Sequence, residues 1–344
     1  MKILFYIGYQ NRPFDGNTDT MGRNSFHGGT EIAMIELSKE MVKFGYTVVV
    51  SGQVHDSGMI SGVEWISTDN LHASNHFNNF DIIISSSYIH FLKEFKRYSA
   101  KKILWAHNTH HHPHYKATYL QDADELVKQV DHTICLTNWH KNQWSKKYDI
   151  PLDKISVIGN GINTSTFIGN PNKIKGRFIY SSAPERGLAD LLKNWPKIKE
   201  ALPHASLDIF SPSYSIANPE DYDCIQNNIK CHGSVNQVTL HNAMLRAEYW
   251  CYITDYEETY CITALEMQYA NVIPIVKRVA ALRETVNSGI ILNDTETNWN
   301  MVIQTISTLS NELMNKSKNS AFNWAKKQTW NNRSHEWKFI LDSI

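Results

Sequence analysis

Short apolar runs set between longer amphipathic stretches constrain this chain more than any other feature. In the first half the runs fall at residues 3–7, 47–50, 81–85, 102–105, 132–136 and 155–158. They are mostly continuous rather than alternating in polarity, as expected of strands covered on both faces. Between the first two lies TEIAMIELSKEMVKFG, where Ile32, Ile35, Met41 and Val42 recur at near-helical spacing and Gly45 supplies a stop. Strand, helix, strand at this length implies a parallel, right-handed βαβ unit. The second half repeats the theme: strands at 178–181, 206–210, 249–253 and 272–276, with helical stretches at 188–202, 237–246 and 261–269. From Gly289 onward the pattern predicts helices only, at 298–314, 320–327 and 334–341.

At 344 residues the chain exceeds a typical single domain. Two doubly wound halves are the simplest arrangement, joined near Gly159-Asn160-Gly161 and followed by the turn-rich NPNKIKG. Lys+Arg and Asp+Glu balance at 34 each, which argues against a dedicated nucleic-acid binder or an electrostatic membrane anchor. No run reaches the ~20 residues of a membrane span. The five cysteines form no C-x-x-C pair, which fits a reducing, cytoplasmic setting rather than a disulfide scaffold.

Three segments could carry chemistry. Gly28-Gly29-Thr30-Glu31 stands between the first strand and first helix, where glycines admit a ligand to the backbone and a helix start offers amides to a phosphate. Glu258 and Glu266 lie eight positions apart, one before and one inside a helix, about 12 Å along its axis. The amides near Tyr260, Cys261 and Ile262 could hold a pyrophosphate between the two carboxylates. In Ala183-Pro184-Glu185-Arg186-Gly187-Leu188 the guanidinium of Arg186 could grip phosphate oxygens. Alone, the first segment reads equally well as an ordinary loop, and the other two read more readily as surface residues.

Taken in order, these segments resemble the retaining glycosyltransferases of family four. GGTE looks like that family's N-terminal Gly-Gly loop, Asn160-Gly161-Ile162 like the element before the interdomain linker, and APERGL like the phosphate clamp. Glu258 to Glu266 matches E-x7-E, followed by the strand at 272–276. The resemblance implies the GT-B fold: two Rossmann-like α/β domains facing a cleft, over residues 1–162 and 163–328, with 329–344 as a helix crossing back to the first.

It also implies site residues. Gly28, Gly29, Arg186, Glu258, Thr259, Tyr260, Cys261, Ile262 and Glu266 would bind the donor, Glu266 through the ribose hydroxyls. Glu258, His107 and Arg186 would serve catalysis. The implied partners are a UDP- or GDP-sugar donor and a carbohydrate or glycolipid acceptor, with no metal and no nucleic acid. An epimerase on the same fold and a non-catalytic nucleotide-sugar binder are the alternatives.

Four departures stand out. Ser181 replaces the clamp's usual Arg, leaving one phosphate charge to be supplied elsewhere, for example by Arg278. Arg186 replaces its Lys, Asn271 a usual Gly, and Ala280-Ala281 a Gly-Gly pair. The histidines His107, His110, His111, His112 and His114 raise a metal question, but Pro113 argues for a loop, and only His107 is carried forward as a sugar-pocket candidate. Trp139 and Trp144 with Lys141, Lys146 and Lys147 are read as a solvated helix with packed aromatics rather than a membrane contact.

Overall fold

A computed structural model of the protein describes residues 1–8, 14, 16, 28–54, 57–74, 79–110, 123–169, 172–212, 222, 223, 225–294 and 297–344. The chain divides into two compact units, Met1–Gly161 with Trp330–Ile344, and Ile162–Thr329.

The first unit holds strands β1 (Lys2–Tyr6), β2 (Thr47–Gly52), β3 (Gly58–Ile60), β4 (Val63–Ser67), β5 (Ile82–Ser86), β6 (Lys101–Trp105), β7 (His132–Cys135) and β8 (Ile155–Val157). They form one sheet in the order β3-β4-β2-β1-β5-β6-β7-β8, parallel throughout except that β3 runs against β4. Its helices are α1 (Gly29–Lys43), α2 (Thr68–Ala73), α3 (Phe91–Glu94), α4 (Ala123–Val127), α5 (Asn138–Tyr148) and the last helix of the chain, α12 (Trp330–Ser343). Helix α1 buries Ala33, Met34, Leu37 and Met41, one face at helical spacing. The central strand β1 is buried from Ile3 to Tyr6, which is why it reads as a continuous apolar run.

The second unit holds α6 (Leu188–Ala201), α7 (Gln237–Arg246), α8 (Ile262–Tyr269), α9 (Leu282–Thr285), α10 (Trp299–Thr308) and α11 (Asn311–Ala325). Its strands are β9 (Arg177–Ser181), β10 (Ser206–Phe210), β11 (Ile229–Gly233), β12 (Tyr249–Tyr252), β13 (Ile273–Lys277) and β14 (Ile290–Leu292), in the order β11-β10-β9-β12-β13-β14. Every pairing in this sheet is parallel.

In each unit the strand order reverses beside the first strand, between β1 and β5 and between β9 and β12. The carboxyl ends of the strands at such a reversal border the crevice in which open α/β sheets place ligands.

Some expectations required correction. Strands β3, β4, β11 and β14 escaped the search for continuous apolar runs. β3 and β4 form a hairpin whose Ser61-Gly62 turn has both residues at positive φ (52° and 78°), the type I′ pattern that Ser-Gly could have signalled. β11 is an edge strand whose burial alternates. β14 breaks the helices-only expectation after Gly289. The helix expected over 298–314 is two helices, because Leu309 is extended and the Ser310 hydroxyl accepts from Leu313 N at 3.3 Å, capping α11.

Helix α12 packs against α1 within the first unit. Its Trp337 is fully buried, with its ring centroid 4.9 Å from that of Trp105. In α5 Trp144 is buried and Trp139 half-buried, as a solvated helix with packed aromatics requires.

Candidate active site

In the second unit, the loops after β9 and β12 flank the β9/β12 reversal. β9 runs through Ser181 into a short 3-10 turn, Pro184–Arg186, and Gly187 then opens α6. Gly187 has φ +104°, and a Cβ there would lie 2.2 Å from the carbonyl oxygen of Ile253. Only glycine lets the turn press this closely on the end of β12. The turn delivers Arg186 to the β12 loop, where its Nη1 donates to Glu258 Oε1 at 2.9 Å. Its guanidinium lies 4.1 Å from the centre of the Tyr256 ring.

Tyr252, at the end of β12, donates its hydroxyl to the same Glu258 Oε1 at 2.5 Å. Glu258 is buried, and among the described residues both side-chain contacts fall on Oε1, so Oε2 takes no part in them. The Arg186 Nε is buried and has no hydrogen-bond partner among the described residues. Burial works against the Arg186 charge, but Glu258, Tyr252 and Tyr256 together raise its pKa. Burial, followed by the nearby Glu258 charge, holds the Tyr252 phenol well above its usual range. Arg186 is therefore a fixed cation, and Tyr252 a hydrogen-bond donor, at any ordinary pH.

Cys261, the residue just before α8, is in the left-handed region, φ +69°, and no side chain caps the helix. The first amides of a helix have no carbonyl of their own turn to bond, so the start of α8 is an anion-seeking end. Thr259, Tyr260, Cys261 and Ile262 form this approach, with Tyr260 buried and the other three half-buried. Burial, then the charge of Glu258, keeps the Cys261 thiol protonated.

Glu266 lies one turn into α8, buried between Leu265 and Met267. Its Oε1 is 3.2 Å from Nε2 of His241, on α7. His241 is 1% exposed along its side chain, stacks on Phe167 with centroids 4.0 Å apart and planes 6° apart, and meets Thr166 Oγ1 through Nδ1 at 2.8 Å.

A further cation, Lys277, ends β13 nearly buried and pairs with the exposed Asp255 of the β12 loop. Arg278, the replacement considered for Ser181, is exposed. The other two departures prove to be backbone positions: Asn271 and Ala280 both have positive φ, 58° and 44°. Asn tolerates that conformation well, whereas Ala adopts it with strain.

The first unit carries the remaining candidates. Gly28 caps α1 and Gly29 begins it, and no side chain caps this helix either. A Cβ on Gly28 would lie 2.7 Å from Glu31 Oε2, the mobile end of a flexible side chain, and Gly28 has no positive φ. His107 follows β6. Its amide donates to Ser87 Oγ at 3.0 Å and its ring lies 4.5 Å from Trp105. Burial, helped by His140, lowers its pKa to about 3, so it is neutral above that pH.

His140 is neutral for the same reason, with burial lowering its pKa to about 4. Leu136 N donates to its Nδ1 at 3.2 Å and its Nε2 meets the Asn108 carbonyl at 2.7 Å, so the proton is assigned to Nε2. Trp144 Nε1 donates to the same carbonyl at 2.8 Å. Two donors on one carbonyl fix the backbone just past His107.

His111, His112 and His114 lie outside the described residues, as do Pro113 and Cys224. Among the described residues no three His, Cys, Asp or Glu side chains gather as a metal set. None of the described helices is long and apolar enough to cross a membrane.

His241, Tyr252, Tyr256 and Lys277 were not singled out by sequence reasoning. Tyr256 stands two positions before Glu258, at the edge of the E-x7-E segment, and could have been suspected. Nothing in the spacing links His241, 25 positions before Glu266, to that carboxylate.

Residues 27–166 match the profile of Glycosyltransferase Family 4. No curated protein sequence matches the chain significantly. The fold is that of the GT-B glycosyltransferases. HepE of Anabaena, in complex with UDP, superimposes with a TM-score of 0.73 at 14% identity over 100% of both chains. Sucrose-phosphate synthase of Thermosynechococcus elongatus superimposes at 0.75, with 11% identity over 99% of this chain and 98% of that one. WaaG, a glycosyltransferase of lipopolysaccharide biosynthesis, superimposes at 0.70, with 12% identity over 98% and 99%.

Proposed function

We propose that this chain, which matches Glycosyltransferase Family 4 over residues 27–166 and has the GT-B fold, moves a hexosyl group from a nucleotide-diphosphate sugar to an acceptor hydroxyl with retention of configuration. One observation carries the reading: the Arg186–Glu258 pair at the β9/β12 reversal, with a buried Arg186 Nε that has no hydrogen-bond partner among the described residues, and α8 starting just beyond Glu258 with no side-chain cap. A fixed guanidinium and the N-terminal end of a helix match an anionic diphosphate. HepE was solved with UDP-glucose as well as UDP, which supports a UDP-sugar among the UDP- and GDP-sugar donors considered.

Arg186 and the amides at Tyr260, Cys261 and Ile262 take up charge as the diphosphate leaves. Preorganised electrostatics of this kind is usually the largest catalytic contribution. Glu258, fixed through Oε1 by Arg186 and Tyr252, offers Oε2 to a sugar hydroxyl. Glu266 accepts the ribose hydroxyls. The departing phosphate oxygen takes the acceptor proton on the same face of the sugar, so no protein base is needed. The scheme invokes no metal. In the first unit, neutral His107 is assigned to the sugar and the Gly28-Gly29 loop to the donor. Free thiols at Cys135, Cys231, Cys251 and Cys261 fit a cytoplasmic setting, and the acceptor is assigned to carbohydrates or glycolipids.

The test is incubation with UDP- and GDP-sugars, following nucleotide release and donor isomerisation with and without acceptor. Release enhanced by acceptor, lost at least 100-fold in Glu258→Ala and Arg186→Ala with the fold retained, is the expected result. Isomerisation without transfer points to an epimerase. Undiminished transfer in both variants removes the site assignment.

A further inference from the structure

We propose that His241 is a positioning residue for the nucleotide ribose: it holds the Glu266 carboxylate by one oxygen and leaves the other directed to the ribose hydroxyls. The proposal rests on the assignment of Glu266 to the ribose made above.

A carboxylate buried in the middle of α8, between Leu265 and Met267, must have a partner. Among the described residues its side-chain partner is His241, at 3.2 Å from Oε1. His241 comes from a different helix, α7, and is held from its other sides. Phe167 covers one ring face at 4.0 Å. Nδ1 meets Thr166 Oγ1, and that hydroxyl in turn donates to the Asn163 carbonyl at 2.7 Å.

A hydroxyl has one proton. With that proton on Asn163 O, the Thr166 oxygen can only accept, so Nδ1 carries a hydrogen and donates it. Nε2 then faces Glu266 Oε1, and a bare lone pair against a carboxylate oxygen would repel it. The contact therefore holds a proton, as an imidazolium–carboxylate pair or its neutral equivalent. The ring N–H is not directed in line at Oε1, so the contact is a close side-on approach of the two groups at 3.2 Å.

The chain Asn163, Thr166, His241, Glu266 runs from the loop that begins the second unit to the candidate ribose site. Every member but Glu266 is tied by backbone or ring packing, so Glu266 is the end that is positioned. It approaches its ligand with Oε2 because Oε1 is engaged.

Two substitutions separate positioning from packing. Gln places its amide nitrogen near the Nε2 position and can donate to Glu266, whereas Asn reaches only the Nδ1 position and the Thr166 contact. His241→Phe keeps the stack on Phe167 and removes both polar contacts. The probes are UDP and GDP, each as the ribonucleotide and as its 2′,3′-dideoxy form. Binding is measured by calorimetry, and transfer kinetics with the best donor sugar follow.

For the nucleotide that binds, the wild-type protein should lose about 10-fold or more in affinity when the ribose hydroxyls are removed. His241→Phe should lose as much for the ribonucleotide and less than 2-fold for the dideoxy form. His241→Gln should recover most of the loss and His241→Asn should not. Donor KM should rise about 10-fold in His241→Phe with kcat changed less than 3-fold. Adding His241→Phe to Glu266→Gln should cost nothing further.

Equal losses on ribo and dideoxy forms, or better recovery by Asn than by Gln, would overturn the proposal in favour of a packing role. A wild-type protein that binds both forms equally would instead remove the ribose assignment of Glu266 itself. A melting temperature within a few degrees of wild type for His241→Gln keeps the comparison interpretable if His241→Phe folds poorly.

Discussion

Replacing Gly187 with alanine should damage both the second unit and its binding site, for reasons the geometry makes quantitative. The residue has φ +104°, where an L side chain is strained by about 1–2 kcal/mol. The added Cβ would meet the Ile253 carbonyl oxygen at 2.2 Å, about 1 Å inside any normal contact. That oxygen belongs to backbone at the end of β12 and cannot rotate away, so overpacking adds about 1–3 kcal/mol. A total near 2–5 kcal/mol corresponds to roughly 5–15 °C in the melting temperature of a unit this size.

The cheapest relief is for the turn at Pro184–Arg186 to move off β12. That motion also draws Arg186 from Glu258, so donor affinity should fall at least 10-fold even where the variant remains folded. Gly45 supplies the control in the first unit. Its φ is +81° but nothing lies within 4 Å of the added Cβ, so Gly45→Ala should cost only about 1 kcal/mol. Thermal unfolding followed by circular dichroism, with nucleotide titration at 20 °C, measures both effects. A Gly187→Ala protein that melts no lower than Gly45→Ala and binds the donor normally would refute the reasoning.

Two further expectations concern the first unit. His107 and His140 are neutral when folded, with pKa values lowered to about 3 and about 4 by burial, against 6.5 unfolded. Stability from these groups is therefore fully present above pH 6.5 and is lost as pH falls toward 4, because the unfolded chain gains two protons that the folded one refuses. The loss is at most about 2.7 kcal/mol per pH unit, and urea unfolding between pH 7 and 4.5 should show a slope roughly halved in His140→Asn; a flat profile contradicts it. Trp337→Ala should cost about 3–5 kcal/mol because the ring is fully buried against Trp105. Trp337→Phe should cost only about 1 kcal/mol, since among the described residues the Trp337 Nε1 has no hydrogen-bond partner to lose; equal melting temperatures for the two variants would count against the packing account.

The sequence determined the architecture because its signal is local. Apolar runs without alternation specify strands covered on both faces, and the stretches between them specify helices, so both parallel sheets were legible before any coordinates. Glu258, Glu266 and Arg186 could be singled out as candidates for the same reason, since each stands at a fixed offset from a strand or helix end. Strands β3, β11 and β14 were not, because an edge strand need not be apolar throughout and a three-residue strand carries too little pattern.

Only the tertiary structure decided which groups meet. Arg186 and Glu258 are 72 positions apart and come together because β9 and β12 are sheet neighbours. Between β9 and β12 the chain runs through two further strands, β10 and β11, and the helices α6 and α7. Asn271 and Ala280 looked like losses of glycine, yet the backbone keeps the left-handed conformation at both. His241 is the clearest case. Its contact with Glu266 depends on the packing of α7 beside α8, and packing between helices leaves no periodic mark in either one.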